Sequence, residues 1–244
     1  MANSSRQVAL VTGANKGIGF EVARQLARAG RTVLLGARNV SLGKQAVDKL
    51  KAENLDVQLL PLDLDDPETI ASAAAFIATE FGSLDILVNN AGIIDPTDGP
   101  PSATNIDAVE HTLKTNFLGT LAVTQAMLPL LRKAEAARIV NVSSGLGSIT
   151  LNADPEWVYA PVKLLGYSAS KAALNMLTAQ LAYELRDTSI KVNSADPGYT
   201  ATDLNQNQGH QTIEEGAAET IRLALLPADG PTGTFSASAG INPW

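Results

Sequence analysis

Short runs of contiguous apolar residues alternate along the chain with longer stretches in which apolar residues recur every three or four positions. The runs at 7–12, 32–36, 57–62, 86–88, 138–142 and 190–194 are mostly rich in Val, Leu and Ile without polar alternation. That is the pattern of parallel strands covered on both faces. Between them, Ile18, Val22 and Leu26 are spaced by four, Ile70, Ala74, Ile77 and Phe81 by 4, 3, 4, and Leu174, Leu177, Leu181 and Leu185 by 3, 4, 4. These spacings put one apolar stripe on a helix. Asp65-Asp66-Pro67-Glu68 reads as an acidic cap with Pro in a first turn, and Gly30 and Gly82 stand where two helices should stop. The alternation predicts an α/β fold: a single Rossmann-type, doubly wound parallel sheet with helices on both faces and right-handed crossovers. The Pro/Gly/Ser-rich pieces 95–105 and 227–233 read as loops. With no internal repeat or low-complexity linker, residues 1–244 read as one domain.

Composition narrows the function. The chain has no Cys, which excludes disulfides and thiolate metal sites. Its 18 basic and 25 acidic residues give a net charge of −7, the wrong sign for a nucleic-acid binder. An anionic ligand must then be held by local groups. The N-terminal stretch is short and polar, and the stretch 121–131 is too short and too interrupted for a membrane span. A soluble, cytoplasmic protein is expected. His111 and His210 fall in no metal-binding pattern, and Asp63, Asp65 and Asp66 read as a loop and helix cap, so no metal site is expected.

The first strand runs into Thr12-Gly13-Ala14-Asn15-Lys16-Gly17-Ile18-Gly19, and a helix follows. Glycines here permit a tight turn and close backbone approach, and the helix start offers free N–H groups to a pyrophosphate. The second strand ends in Gly36-Ala37-Arg38, with no acid to accept from a ribose 2′-hydroxyl. Arg38 could fork onto a 2′-phosphate, with Lys16 as a second cation. Each alone could be a solvated surface charge; together they favour NADP, used as NADPH.

With these motifs the chain resembles the short-chain dehydrogenase/reductase family. The resemblance rests on the glycine motif from Thr12 to Gly19, Asn89-Asn90-Ala91-Gly92, Asn141-Val142-Ser143-Ser144, Tyr167-xxx-Lys171 and Pro197-Gly198, in that order. Within the family it is most similar to the NADPH-dependent carbonyl reductases. The resemblance implies that Asp63 and Leu64 border the adenine and that Asn90, with Ala91 and Gly92, meets the adenosine ribose. It also implies that Pro197 and Gly198 flank the nicotinamide, that Thr200 and Thr202 face the carboxamide and phosphates, and that Asn116 holds a water leading from Lys171. Ser144 and Tyr167 are 23 residues apart, about twice the ordinary family spacing, so 145–166 is an insert near the substrate site.

Tyr167 and Lys171 are i and i+4 on a helix and share a face. A neighbouring ammonium should lower the phenol pKa and make Tyr167 a proton donor to a carbonyl oxygen that Ser144 holds. The bland reading is a core aromatic with a snorkelling lysine. Ser144 and the glycine turn weigh against it. The expected substrate walls come from 94–101, 146–159 and 199–210, with Ile94, Leu146, Trp157 and Tyr199 singled out, for a small-molecule carbonyl compound. The expected activity is hydride transfer between NADPH and an aldehyde or ketone. A non-catalytic NADP sensor of the same fold and an α/β hydrolase are the alternatives, the latter without a G-x-S-x-G elbow. Monomer and homo-oligomer both remain open.

Overall fold

The computed structural model describes residues 6–244. Residues 1–5 of the polar N-terminal stretch lie outside them. In chain order the elements are β1 (Val8–Val11), α1 (Gly17–Arg28), β2 (Thr32–Ala37), α2 (Val40–Ala52), β3 (Val57–Pro61), α3 (Pro67–Glu80), β4 (Ile86–Asn89) and α4 (Ile106–Leu113). A π-helical turn (Lys114–Gly119) leads into α5 (Thr120–Leu131), followed by β5 (Arg138–Val142), a 3₁₀ turn (Gly145–Gly147), α6 (Ile149–Ala153) and α7 (Leu165–Glu184). The chain then forms β6 (Lys191–Ala195), a second 3₁₀ turn (Asp203–Asn205), α8 (Ile213–Ala224), β7 (Phe235–Ala237) and β8 (Gly240–Ile241).

The strands make one sheet in the order β3-β2-β1-β4-β5-β6-β7-β8. All six strands read from the sequence are present, and α1 and α3 end just before Gly30 and Gly82. Asp66 caps α3 by accepting from Glu68 N at 2.9 Å. The sheet is not wholly parallel, however. β8 runs antiparallel to β7, with Ala237 opposite Gly240. Only two residues separate those partners, and a connection that short can join only antiparallel strands.

The apolar runs are buried on both sides because successive side chains leave opposite faces. Leu10, Leu34, Leu87, Ile139 and Val192 point into one core with Ile77, Met127 and Leu181 of α3, α5 and α7. Val11, Val33, Leu35, Val88 and Val140 point into the other with Leu26, Leu50 and Leu223 of α1, α2 and α8. A buried polar chain crosses the sheet. Asn89 donates to Thr124 Oγ1 at 3.0 Å and to Asn141 Oδ1 at 2.8 Å, Asn141 donates to Thr178 Oγ1 at 2.8 Å, and Thr178 meets Ser194 at 2.8 Å. These groups fix β4, β5 and β6 against α5 and α7.

After β3 the chain crosses back over β2 and β1 to form β4, so the strand order reverses between β1 and β4. Open α/β sheets hold ligands at the carboxyl ends of strands beside such a reversal. Thr12, Arg38, Asp63, Asn90, Ser144 and Pro197 each follow one of β1–β6 at that edge. No described helix is long and apolar enough to cross a membrane.

Candidate active site

The glycine turn is built against the end of β4. Gly13 takes φ +63°, and a Cβ there would stand 2.8 Å from Ala91 Cα. A Cβ at Gly19 would collide with the Asn90 amide. Both positions therefore require glycine. Thr12 Oγ1 accepts from Asn90 N and Ala91 N, each at 3.0 Å, and Asn90 Nδ2 donates to Thr12 O at 2.9 Å and Gly13 O at 3.2 Å. Asn90, expected at the adenosine ribose, thus spends its amide nitrogen on shaping the turn. Lys16 precedes α1 in extended backbone, its side chain caps no N–H, and the first turn of α1 holds no acid. A helix start with uncapped N–H groups and close-approach glycines beside it suits a pyrophosphate.

The two expected phosphate cations differ. Arg38 is exposed after β2, with no hydrogen-bond or ion-pair partner among the described residues. Lys16 Nζ instead donates to Asp203 Oδ2 at 2.9 Å, with both side chains 63% exposed. This ion pair ties the phosphate turn to the loop after β6. Thr202 of that loop lies beside Gly17, while the Thr200 hydroxyl turns inward to Pro197 O at 2.9 Å and Thr200 is buried against Gly216. Of the two threonines, only Thr202 stands beside the phosphate turn. Asp63 closes a local turn by accepting from Asp65 N at 3.1 Å, and Leu64 is buried against Gly119.

Ser144, Tyr167 and Lys171 converge. β5 delivers Ser144, whose Oγ accepts from Leu146 N at 3.2 Å and whose hydroxyl lies near enough to the Tyr167 phenol to favour its ionised form. Tyr167 and Lys171 are both buried on α7. Lys171 Nζ donates to Val142 O at 2.7 Å and lies 5.5 Å from the centre of the Tyr167 ring. Asn116 sits in the π-helical turn, a local distortion frequent at functional sites. Its Oδ1 accepts from Ile93 N at 2.8 Å, and its Nδ2 donates to Ile93 O at 2.9 Å and Ser170 Oγ at 3.0 Å. Both Nδ2 hydrogens are thus used, while Oδ1 accepts one bond and keeps room for a second. Gly92 brings the backbone after β4 beside both Asn116 and Lys171.

The family profile for short chain dehydrogenases matches residues 7–213. The chain belongs to that family. Carbonyl reductase (NADPH) 1 of Mus musculus is 37% identical, with 99% of this chain and 100% of that protein covered. Short-chain dehydrogenase/reductase 1 of Saponaria officinalis is 35% identical, covering 99% and 97% respectively. The NADPH-bound carbonyl reductase from chicken fatty liver superposes with a TM-score of 0.85 at 29% identity, over 98% of this chain and 99% of that one. This short-chain dehydrogenase is accordingly an oxidoreductase that works with NAD(P)(H) on carbonyl or alcohol groups.

In this family member the electrostatics depart from the sequence expectation. Burial pushes the Tyr167 phenol up to about 12, against the opposing influence of the Ser144 hydroxyl, and the Asp196 carboxylate pushes it the same way as burial. Burial also pulls the Lys171 ammonium down to about 8. Both groups are driven toward their neutral forms, so desolvation outweighs the attraction of ammonium for phenolate. Asp196 was not singled out from the sequence. It accepts from Gly198 N at 2.9 Å and from Asn242 Nδ2 at 2.9 Å, and its carboxyl lies beside Gly145. It thereby braces the loop at Pro197 and Gly198 next to the serine segment, and burial raises its pKa.

The insert folds against the serine segment and the loop after β6. Trp157 lies over Gly145, where a Cβ would stand 3.2 Å from the indole Cζ2. A row of rings continues through Tyr159 at 5.5 Å, Tyr199 at 5.8 Å and His210 at 5.9 Å between successive centres. All four rings belong to the segments 146–159 and 199–210 named from the sequence, and the folding of the insert against the loop after β6 brings them together. Leu146 and Ile94 lie half-buried nearby in sequence, next to the Ser144 and Gly92 segments. Thr150 N donates to Trp244 O at 3.1 Å, which holds the insert against the segment that follows β8. His111 sits apart, paired with Asp95 at 2.9 Å.

Proposed function

We propose that the protein is an NADPH-dependent carbonyl reductase, reducing aldehydes or ketones and running the reverse alcohol oxidation. The observation that carries this reading is the meeting of Ser144, Tyr167 and Lys171 at the strand ends beside the glycine turn. Bound NADPH supplies the hydride that reaches the carbonyl carbon. Tyr167 gives its hydroxyl proton to the carbonyl oxygen, and Ser144 holds that oxygen by a hydrogen bond. A phenol kept protonated at neutral pH suits the donor role. Its loss of the proton is supported by the Lys171 ammonium, which Val142 O orients. Arg38 binds the 2′-phosphate, with Lys16, paired to Asp203, as the second cation beside it. Ile94, Leu146, Trp157 and Tyr199 form the substrate walls, so ring-bearing or apolar carbonyl compounds are the favoured class.

The test is cofactor consumption over a panel of aldehydes and ketones with NADPH and with NADH. NADPH should be used in clear preference. Arg38→Asp should raise the KM for NADPH on the order of tenfold to a hundredfold, the size of a charged hydrogen-bonded contact, and leave that for NADH little changed. Equal effects on both cofactors would remove Arg38 from the 2′-phosphate.

A further inference from the structure

Leu164 precedes α7 and has no side-chain acceptor, so the first N–H groups of that helix need acceptors from elsewhere. A distant loop supplies them. Asp98, half-buried in 95–105, accepts from Gly166 N through Oδ1 and from Tyr167 N through Oδ2, each at 2.9 Å. Gly99 O accepts from Leu165 N at 3.0 Å. One dipeptide therefore takes the first three N–H groups of α7. Asp98 is itself fixed, because its Oδ1 also accepts from Gly99 N at 2.8 Å and from Thr104 Oγ1 at 3.1 Å. A Ser or Asp at position 164 could have capped the helix locally. The chain instead ties the helix start to a loop 68 and 69 residues away, and the tie falls on the backbone of Tyr167 itself.

We propose that Asp98 is a positioning residue for Tyr167: by holding the Gly166 and Tyr167 amides it sets where the phenol stands relative to Ser144 and Lys171. The proposal rests on Tyr167 being the proton donor. Because Ile94 and Asp98 belong to the same connection between β4 and α4, the contact also makes a substrate wall and the start of α7 one body. A carboxylate is required at this place. An Asn in the same pose would keep one acceptor oxygen and turn an NH₂ toward the other amide, setting donor against donor.

The experiment compares the wild type, Asp98→Asn, Asp98→Ala and Tyr167→Phe for carbonyl turnover, for NADPH affinity by titration, and for amide hydrogen exchange along α7. Asp98→Asn should lower kcat on the order of tenfold to a hundredfold, the cost of a misplaced reacting group, with NADPH affinity unchanged. Exchange at Gly166 and Tyr167 should quicken while the rest of α7 stays protected. Asp98→Ala should lose more than Asp98→Asn; if it does not fold, Asp98→Asn decides alone. Wild-type turnover in Asp98→Asn, unaltered exchange, or a loss of NADPH affinity in step with turnover would each overturn the proposal. If the wild type reduces no carbonyl compound, the proposed function falls, and the exchange measurement still decides whether Asp98 holds the helix start.

Discussion

Tyr167 and Lys171 share one buried environment, and it drives both toward neutrality: the phenol up to about 12 and the ammonium down to about 8. The consequence for pH dependence has a definite sign. Tyr167 keeps its proton across the working range, so its own titration does not limit reduction. Lys171 carries its positive charge only below about pH 8, and loses it as pH rises through that value. In the proposed mechanism that charge stabilises the forming phenolate. The kcat/KM for NADPH reports groups of the free protein, so it should be level at lower pH and fall as pH passes about 8. Lys171→Met should lower the rate and abolish that limb. A profile that stays level into the ordinary lysine range would show that Lys171 is not working through its charge.

At the scale of elements, the glycine turn and the end of β4 are one unit. Gly13 combines a positive φ with backbone contact to Ala91, so Gly13→Ala must displace main chain on both sides. It should cost about 1–3 kcal/mol of stability in urea unfolding and abolish NADPH binding. An unchanged unfolding midpoint with unchanged binding would contradict this packing. The elements most legible in the sequence are those whose burial is complete. Val8–Val11 and Val88 are apolar because both sheet faces are covered, and the motif from Thr12 to Gly19 is glycine-rich because backbone meets backbone. β7 and β8 were not legible: Phe235-Ser236-Ala237 is too short to show a period, and Gly240–Ile241 pairs only because a two-residue turn returns it. Asp98 and Asp196 act on groups far away in sequence, so their residue types alone announce nothing. Lys16 was read as free for phosphate because its partner, Asp203, lies 187 residues away.

At the scale of the whole molecule, strand order gathers the site. The reversal between β1 and β4 opens a crevice at their carboxyl ends, and the segments after β1–β6 all reach that edge. A shallow depression at β7 and β8, lined by Glu219, Arg222, Ser236 and Ile241, lies at the far end of the sheet. Its Glu219 is already held by Arg222 and Ser236. The net charge of −7 makes the overall field unhelpful to a phosphate-bearing cofactor, so the proposed reading assigns its recognition to local groups, the glycine turn and Arg38. The central claim is that Tyr167 gives the proton while the rest of the fold binds NADPH. Single-turnover oxidation of NADPH by a reducible ketone, with NADPH affinity titrated on the same preparations, tests it most directly in Tyr167→Phe. That variant should bind NADPH as the wild type does and lose nearly all of the turnover; a rate near that of the wild type would contradict the account.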